Sequence, residues 1–154
     1  MTQTAESILG FLSKLFEADV LRQSLIEATL GIALHLDSTQ SNPEFNFYRY
    51  KYDKAMQQAN LVKEVDFRVP VSPDRSGDEF LYVTLEQNDK LNAPIIAARY
   101  GQPQKIDVPT PQESMGTGIT VTYVYLIGKR EASFSFGPPP NEALLTIALA
   151  RHRE

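Results

Sequence analysis

Two stretches seventy residues apart follow the same pattern. "LIEATLGIALHLD" occupies residues 25–37 and "IIAARYGQPQKID" residues 95–107. Laid over one another without gaps, residues 21–37 and 91–107 agree at five of seventeen positions: Leu21/Leu91, Ile26/Ile96, Ala28/Ala98, Gly31/Gly101 and Asp37/Asp107. The order then continues. "YRYKYD" falls over "YVYLIG", "KEVDFRVP" over "REASFSFG", and "LYVTLE" over "LTIALA". The matched residues are those that cap or bury. A repeat of this kind calls for two copies of one folded unit, which restricts the architecture more than composition can.

Each unit reads as a helix, a loop and three strands. Tyr48, Tyr50 and Tyr52 alternate with Arg49 and Lys51, and Val65, Phe67 and Val69 alternate with Glu64, Asp66 and Arg68. A period of two puts the two sets on opposite faces of a strand. "FLYVTLE" (80–86) is the third strand. In the second unit the strands fall at about 119–127, 131–136 and 143–150. Asp19 is the expected cap of the first unit's helix, with Leu21, Leu25 and Ala28 on its buried stripe and Gly31 as its stop. Asn92 caps the second, Pro94 lies in its first turn, Ile95, Ile96 and Ala98 give it apolar surface, and Gly101 ends it. A polar, proline-rich loop is expected as far as residue 118. Ahead of both units, Ile8, Phe11, Leu12 and Leu15 form one apolar stripe on a helix of about 13 residues capped by Thr4.

These elements give an α+β fold. It is a tandem duplication of an αβββ unit, with antiparallel sheet covered by helices on one face and an extra N-terminal helix. The N-terminal helix takes residues 1–20, the first unit 21–88 and the second 89–154. The expected core is Tyr48, Tyr50, Val65, Phe67, Val69, Leu81, Val83 and Leu85, then Val121, Tyr123, Tyr125, Phe134, Phe136, Leu145, Ile147 and Leu149. The opposite face carries Phe47, Arg49, Lys51, Asp66, Arg68, Phe80, Tyr82, Thr84 and Glu86, followed by Thr122, Val124, Ser133, Ser135 and Thr146.

At 154 residues, 42% hydrophobic and 22% charged, the chain has the composition of a soluble globular protein. Its net charge of −4 and the absence of any Lys/Arg run argue against nucleic acid as a partner. With no cysteine, disulfides, thiolate metal sites and a thiol nucleophile are excluded. No run is long enough to span a membrane, and the N-terminus lacks the basic start of a signal peptide. A cytoplasmic location follows for the chain as given, or a periplasmic one if a leader has been removed.

Catalytic patterns are sparse. His35 stands two residues before Asp37, but the repeat places Lys105 and Asp107 at the same positions, so a solvated loop is the expectation. Asp37 and Asp107 are expected to form the same Asx turn. "GTG" (116–118) precedes a strand, whereas a phosphate-binding glycine loop follows one, so it reads as a flexible lead-in. "DRSGDE" (74–79) lacks the remaining ligands of a calcium loop. No cofactor, metal site or catalytic residue is expected.

"RYGQP" (99–103) and "VTYVYLIGKREASFSF" (121–136), within tandem helix–β units, resemble the β-lactamase-inhibitory-protein fold and the small outer-membrane-assembly lipoproteins that share its single unit. The resemblance implies an extracytoplasmic protein that binds other proteins on a concave sheet face.

Both lines lead to a non-enzymatic protein-binding module of inhibitor, immunity or envelope-assembly type. Its expected contact residues are Arg49, Lys51, Arg68, Tyr82, Phe80 and Phe47 on the open face, since arginine and aromatic side chains dominate interface energetics. If they are fully exposed, truncating Arg68 or Tyr82 should change folding stability by no more than about 0.5 kcal/mol. The alternatives are a cytoplasmic secretion chaperone or adaptor, and a small-ligand-binding protein or enzyme with a pocket between helices and sheet.

Overall fold

The computed structural model describes residues 3–52 and 61–151; His152 lies outside them. Helices α1 (Ala5–Glu17) and α2 (Gln23–Leu30) are followed by strands β1 (His35–Leu36), β2 (Phe45–Lys51), β3 (Val62–Pro70) and β4 (Phe80–Leu85). Helix α3 (Ala93–Tyr100), strand β5 (Lys105–Asp107), helix α4 (Pro111–Thr117) and strands β6 (Val121–Ile127), β7 (Arg130–Phe136) and β8 (Leu144–Arg151) complete the chain. All eight strands form one antiparallel sheet in the order β1-β2-β3-β4-β8-β7-β6-β5. The fold is α+β.

Within each half the chain runs outward-in, from a short edge strand to the sheet centre. The cross-strand row Leu36–Tyr48–Phe67–Leu81 in the first half has its counterpart in Ile106–Tyr123–Phe134–Ile147 in the second. β4 and β8 join the halves through Leu81–Leu149 and Val83–Ile147.

One face is dry. Ile8, Phe11, Leu12 and Leu15 of α1, Ile26 and Leu30 of α2, and Ala93 and Ile96 of α3 pack in one cluster with Val65, Phe67, Val83, Phe134 and Ile147 of the sheet. Thr4 closes α1 in a capping box with Ser7. Asn92 accepts from the Ile95 amide at the start of α3, with Pro94 in the first turn. The Gln3 side chain donates to the Leu30 carbonyl (2.9 Å) and accepts from the Val62 amide (2.8 Å), so it ties the end of α2 to β3. At the other end of α1, Arg130 donates from Nη1 to the carbonyls of Leu15 and Ala18.

Several expectations need correction. α2 begins at Gln23 with Arg22, not Asp19, at the cap position, because the chain bends at Asp19 and Val20 between the helices and is extended at Arg22. Its buried stripe is accordingly Ile26 and Leu30, while Ala28 is exposed; on α3, Ile95 and Ala98 face outward beside buried Ile96. Leu145 is not in the core. A register shift between Ser135 and Phe136 pairs Phe136 with Leu144, which takes the buried place, and leaves Leu145 over Gly137. Tyr48, Tyr50, Val69, Val121 and Tyr123 only border the core: the four on β2 and β6 lie toward the sheet edges, and Val69 stands at the end of β3. The loop expected up to residue 118 contains β5 and α4. Asp107 therefore belongs to a strand and pairs with Lys105 (3.3 Å) instead of making an Asx turn. "GTG" holds the last turn of α4 and its left-handed stop, Gly118.

Gly31 and Gly101 both have positive φ, at 66° and 85°. Gly101 combines this with ψ −157°, a region open almost only to glycine. No atom lies within 4 Å of a Cβ placed there, so the cost of substitution is backbone strain alone. Gly101→Val should lower stability by about 1–3 kcal/mol, read as the shift in the urea midpoint; an unchanged midpoint would contradict this helix stop.

Tyr100 stacks on Phe134 at 5.6 Å and meets Tyr125 at 5.9 Å. The Tyr125 hydroxyl donates to the Gly101 carbonyl (2.9 Å), whereas the buried Tyr100 hydroxyl has no well-formed hydrogen bond among the described residues, with Arg99 beside it. Burial pushes both phenols above the ordinary tyrosine value, for Tyr100 against the opposing pull of Arg99. A phenol raised in the folded state contributes stability that is complete below the unfolded-chain pKa and is lost as pH rises through the folded one. Tyr100→Phe should therefore leave neutral-pH stability unchanged or higher and move alkaline unfolding to higher pH. A variant that unfolds at lower pH than the parent would refute the assignment.

Candidate functional site

The face opposite α1, α2 and α3 is built in cross-strand rows. Phe47, Arg68 and Phe80 form one row, Arg49, Asp66 and Tyr82 the next, and Lys51, Glu64 and Thr84 the third. All six residues expected from the sequence, Phe47, Arg49, Lys51, Arg68, Phe80 and Tyr82, thus share this face, because strand parity puts each opposite a core side chain. Across the sheet centre the rows continue through Ala148, Ser133 and Val124, and through Thr146, Ser135 and Thr122. The face has an aromatic, charged half and a half of small residues. The hydroxyls of Thr122 and Ser135 lie 2.8 Å apart in the smooth half.

Arg68 is the centre of the charged half. Its guanidinium carbon sits 5.0 Å from the Phe47 ring centroid and 5.2 Å from that of Phe80. Two rings on a weakly hydrated planar cation hold it extended while its edge donors stay accessible. Nη2 lies 3.8 Å from Asp66 Oδ2, and the buried Oδ1 of Asp66 has no hydrogen-bond partner among the described residues. Because Arg68 touches two rings and is not fully exposed, its truncation should cost folding about 1 kcal/mol through the lost ring contacts. Arg49, Lys51, Asp66 and Tyr82 border a shallow groove of about 350 Å³.

Arg49 reaches Asp37 Oδ2 (3.4 Å) in the loop after β1. Asp37 forms an Asx turn, accepting from the Thr39 amide (3.0 Å) and hydroxyl (2.6 Å). The Thr39 hydroxyl, then the Gln40 and Thr39 amides and Arg49, hold the Asp37 carboxyl below its usual value. Asp37 is thereby fully engaged, and His35 stands on the exposed edge strand opposite Arg49. Nothing here forms a base with its orienter. Among the described residues no group of three or more His, Asp or Glu side chains is placed to hold a metal ion, and no helix is long and apolar enough to cross a membrane.

Parity alone identifies the face, but the Phe47–Arg68–Phe80 stack was not legible from it. Stacking requires the register that sets those three residues side by side, and register is fixed only when strands pair.

An α+β protein with one wet sheet face and a polar-aromatic cluster on it is the class these features define. No family model and no curated protein matches the sequence. In fold the chain is similar to the crystal structure of a DUF4309 family protein (YjgB) from Bacillus subtilis subsp. subtilis str. 168, with a TM-score of 0.51 at 12% identity over 97% of this chain and 98% of that one.

Proposed function

We propose that this chain is a non-enzymatic protein-binding module whose open sheet face receives another protein. One observation carries the reading: Arg68 is clamped between Phe47 and Phe80 with Tyr82 in the adjacent row, on the face away from the helices. Arginine and aromatic residues presented rigidly lose little entropy on binding, which is why such residues serve as anchors.

In this reading the sheet arose by tandem duplication of an αβββ unit. Its support is the seventy-residue offset that carries α2 (Gln23–Leu30) onto α3 (Ala93–Tyr100) without a gap, and the matched cross-strand rows of the two halves. Duplication leaves the halves free to diverge, one toward charge and aromatics and the other toward small residues. The sequence resemblance to β-lactamase-inhibitory protein and the assembly lipoproteins points to the same use of a sheet face.

The test separates binding from folding. Tyr82→Ala and Lys51→Ala should each retain the parent melting temperature and reduce recovery of the native partner in affinity purification. Equal recovery by the double variant would remove the face from consideration.

A further inference from the structure

The two ends of the sheet differ. β1 closes one end with two residues, and the loop after it commits Asp37 to Thr39 and Arg49. β5 closes the other end with Lys105, Ile106 and Asp107, all three exposed. Its one strand neighbour is β6, so the outer edge of its backbone has no strand beside it. An edge of this kind is a template for another strand.

The register shows which groups lie on that edge. The Val124 carbonyl, opposite Lys105, is turned toward β5 and accepts from the Gln104 amide (2.9 Å). Backbone direction alternates along an antiparallel strand. Tyr123 is therefore turned toward β7, and Ile106 opposite it directs its N–H and C=O outward. The Ile106 side chain ends the row Ile106–Tyr123–Phe134–Ile147 on the helix side and is still 55% exposed. Two more uncovered apolar side chains follow closely in the chain. They are Val108 and Met115, at 74% and 88% the most exposed large apolar residues among those described.

We propose that β5 pairs with β5 of a second copy of this chain, antiparallel about a two-fold axis at Ile106. The sequence Lys105-Ile106-Asp107 is complementary to itself in that arrangement. Ile106 of one copy meets Ile106 of the other and exchanges both backbone hydrogen bonds with it. Lys105 of each copy then falls opposite Asp107 of the other, and opposite charges facing across a strand pair stabilise it. A lysine on an edge strand ordinarily guards against pairing; here the two-fold gives each lysine a carboxylate. In the single chain these two side chains pair only with each other, at 3.3 Å and each more than half exposed, where such a contact contributes little. Pairing covers Ile106 and carries the apolar row from one sheet into the next. The contact is isologous, so it closes at two copies. β1 lacks the match, because its Asp37 is already engaged. The Arg68 cluster lies in the other half of the sheet and stays open, so this contact is independent of the sheet-face reading.

The experiment is sedimentation velocity of the full chain at rising concentration, up to about 1 mM. Monomer should give way to dimer and to nothing larger. Lys105→Asp sets like charges opposite one another at both symmetric positions and should weaken the dimer about tenfold. Adding Asp107→Lys to it restores complementarity with the signs exchanged and should return dimerisation to the parent level. Both positions are exposed, so all three proteins should keep the parent melting temperature. A second measurement uses the absence of cysteine from the chain. Ile106→Cys supplies one thiol, which the two-fold sets against its own copy, and mild oxidation should yield a covalent dimer. Ile95→Cys, on the exposed side of α3, is the control and should yield little. Monomer at every concentration, mass that grows past the dimer, or a charge-exchanged variant as weak as Lys105→Asp alone would overturn the pairing. So would covalent dimer formed equally well from position 95.

Discussion

Phe134→Ala is expected to lower the stability of the chain by about 3–5 kcal/mol. Phe134 is fully buried at the middle of β7. It stacks on Tyr100 of α3 at 5.6 Å and meets Tyr125 of β6 edge-on at 5.7 Å. Truncation removes the ring from water-free surroundings and leaves a cavity that the two neighbouring rings, fixed by their own backbones, fill only in part. The loss is read from urea unfolding as a fall in midpoint with little change in slope. A loss under about 1 kcal/mol would mean that the site collapses around the alanine, and that α3 is not seated on this ring as described.

Arg130→Ala should cost about 3–5 kcal/mol, the loss of two hydrogen bonds from a charged donor at about 1.5–3 kcal/mol each. Arg130 is only 8% exposed, and among the described residues its hydrogen bonds go to carbonyls and it forms no ion pair. Burial pulls its guanidinium below the ordinary arginine value, with Glu79 and Asp19 opposing the fall. Its role is to close the end of α1: the carbonyls of Leu15 and Ala18 accept from it, where a cation also meets the negative end of the helix dipole. Alanine would leave those carbonyls without a donor and Glu79 without a compensating charge. Arg130→Lys, which keeps the charge, should recover part of the loss. Thermal unfolding of the three proteins measures both, and equal melting temperatures for alanine and parent would contradict the network.

These two residues differ in how far the sequence announces them. Phe134 alternates with Ser133 and Ser135, and period two alone places it inside. Arg130 stands at the end of "IGKR", where local pattern indicates only a tight turn; its partners are more than a hundred residues away along the chain. The same division holds elsewhere. Thr4, Asn92, Gly31 and Gly101 are legible because caps and left-handed stops are local chemistry. β1 and β5, at two and three residues, are too short to display a period and exist through the strands they pair with. Helix α4 is legible in local chemistry although a loop is the expectation there: Thr110-Pro111-Gln112-Glu113 is a capping box with proline in the first turn, and the Thr110 hydroxyl and amide hold the Glu113 carboxyl below its usual value. The bulge at Leu145 and the uncapped start of α2 depend on neighbours that no period encodes. Of the sheet-face cluster, parity supplies the membership and only the paired register supplies the Arg68 stack.

The claim at the centre of this account is that the open face of the sheet is where a protein partner sits. Site-specific photocrosslinking tests it most directly. A photoreactive phenylalanine analogue replaces Tyr82 on the open face, or Ile95 on the exposed side of α3 as a control, and irradiation is carried out in native cell extract. The account predicts one discrete protein adduct from position 82, reduced when Arg68→Ala is added, and none of that size from position 95. An adduct equally strong from position 95, or one from position 82 that persists undiminished without Arg68, would contradict it.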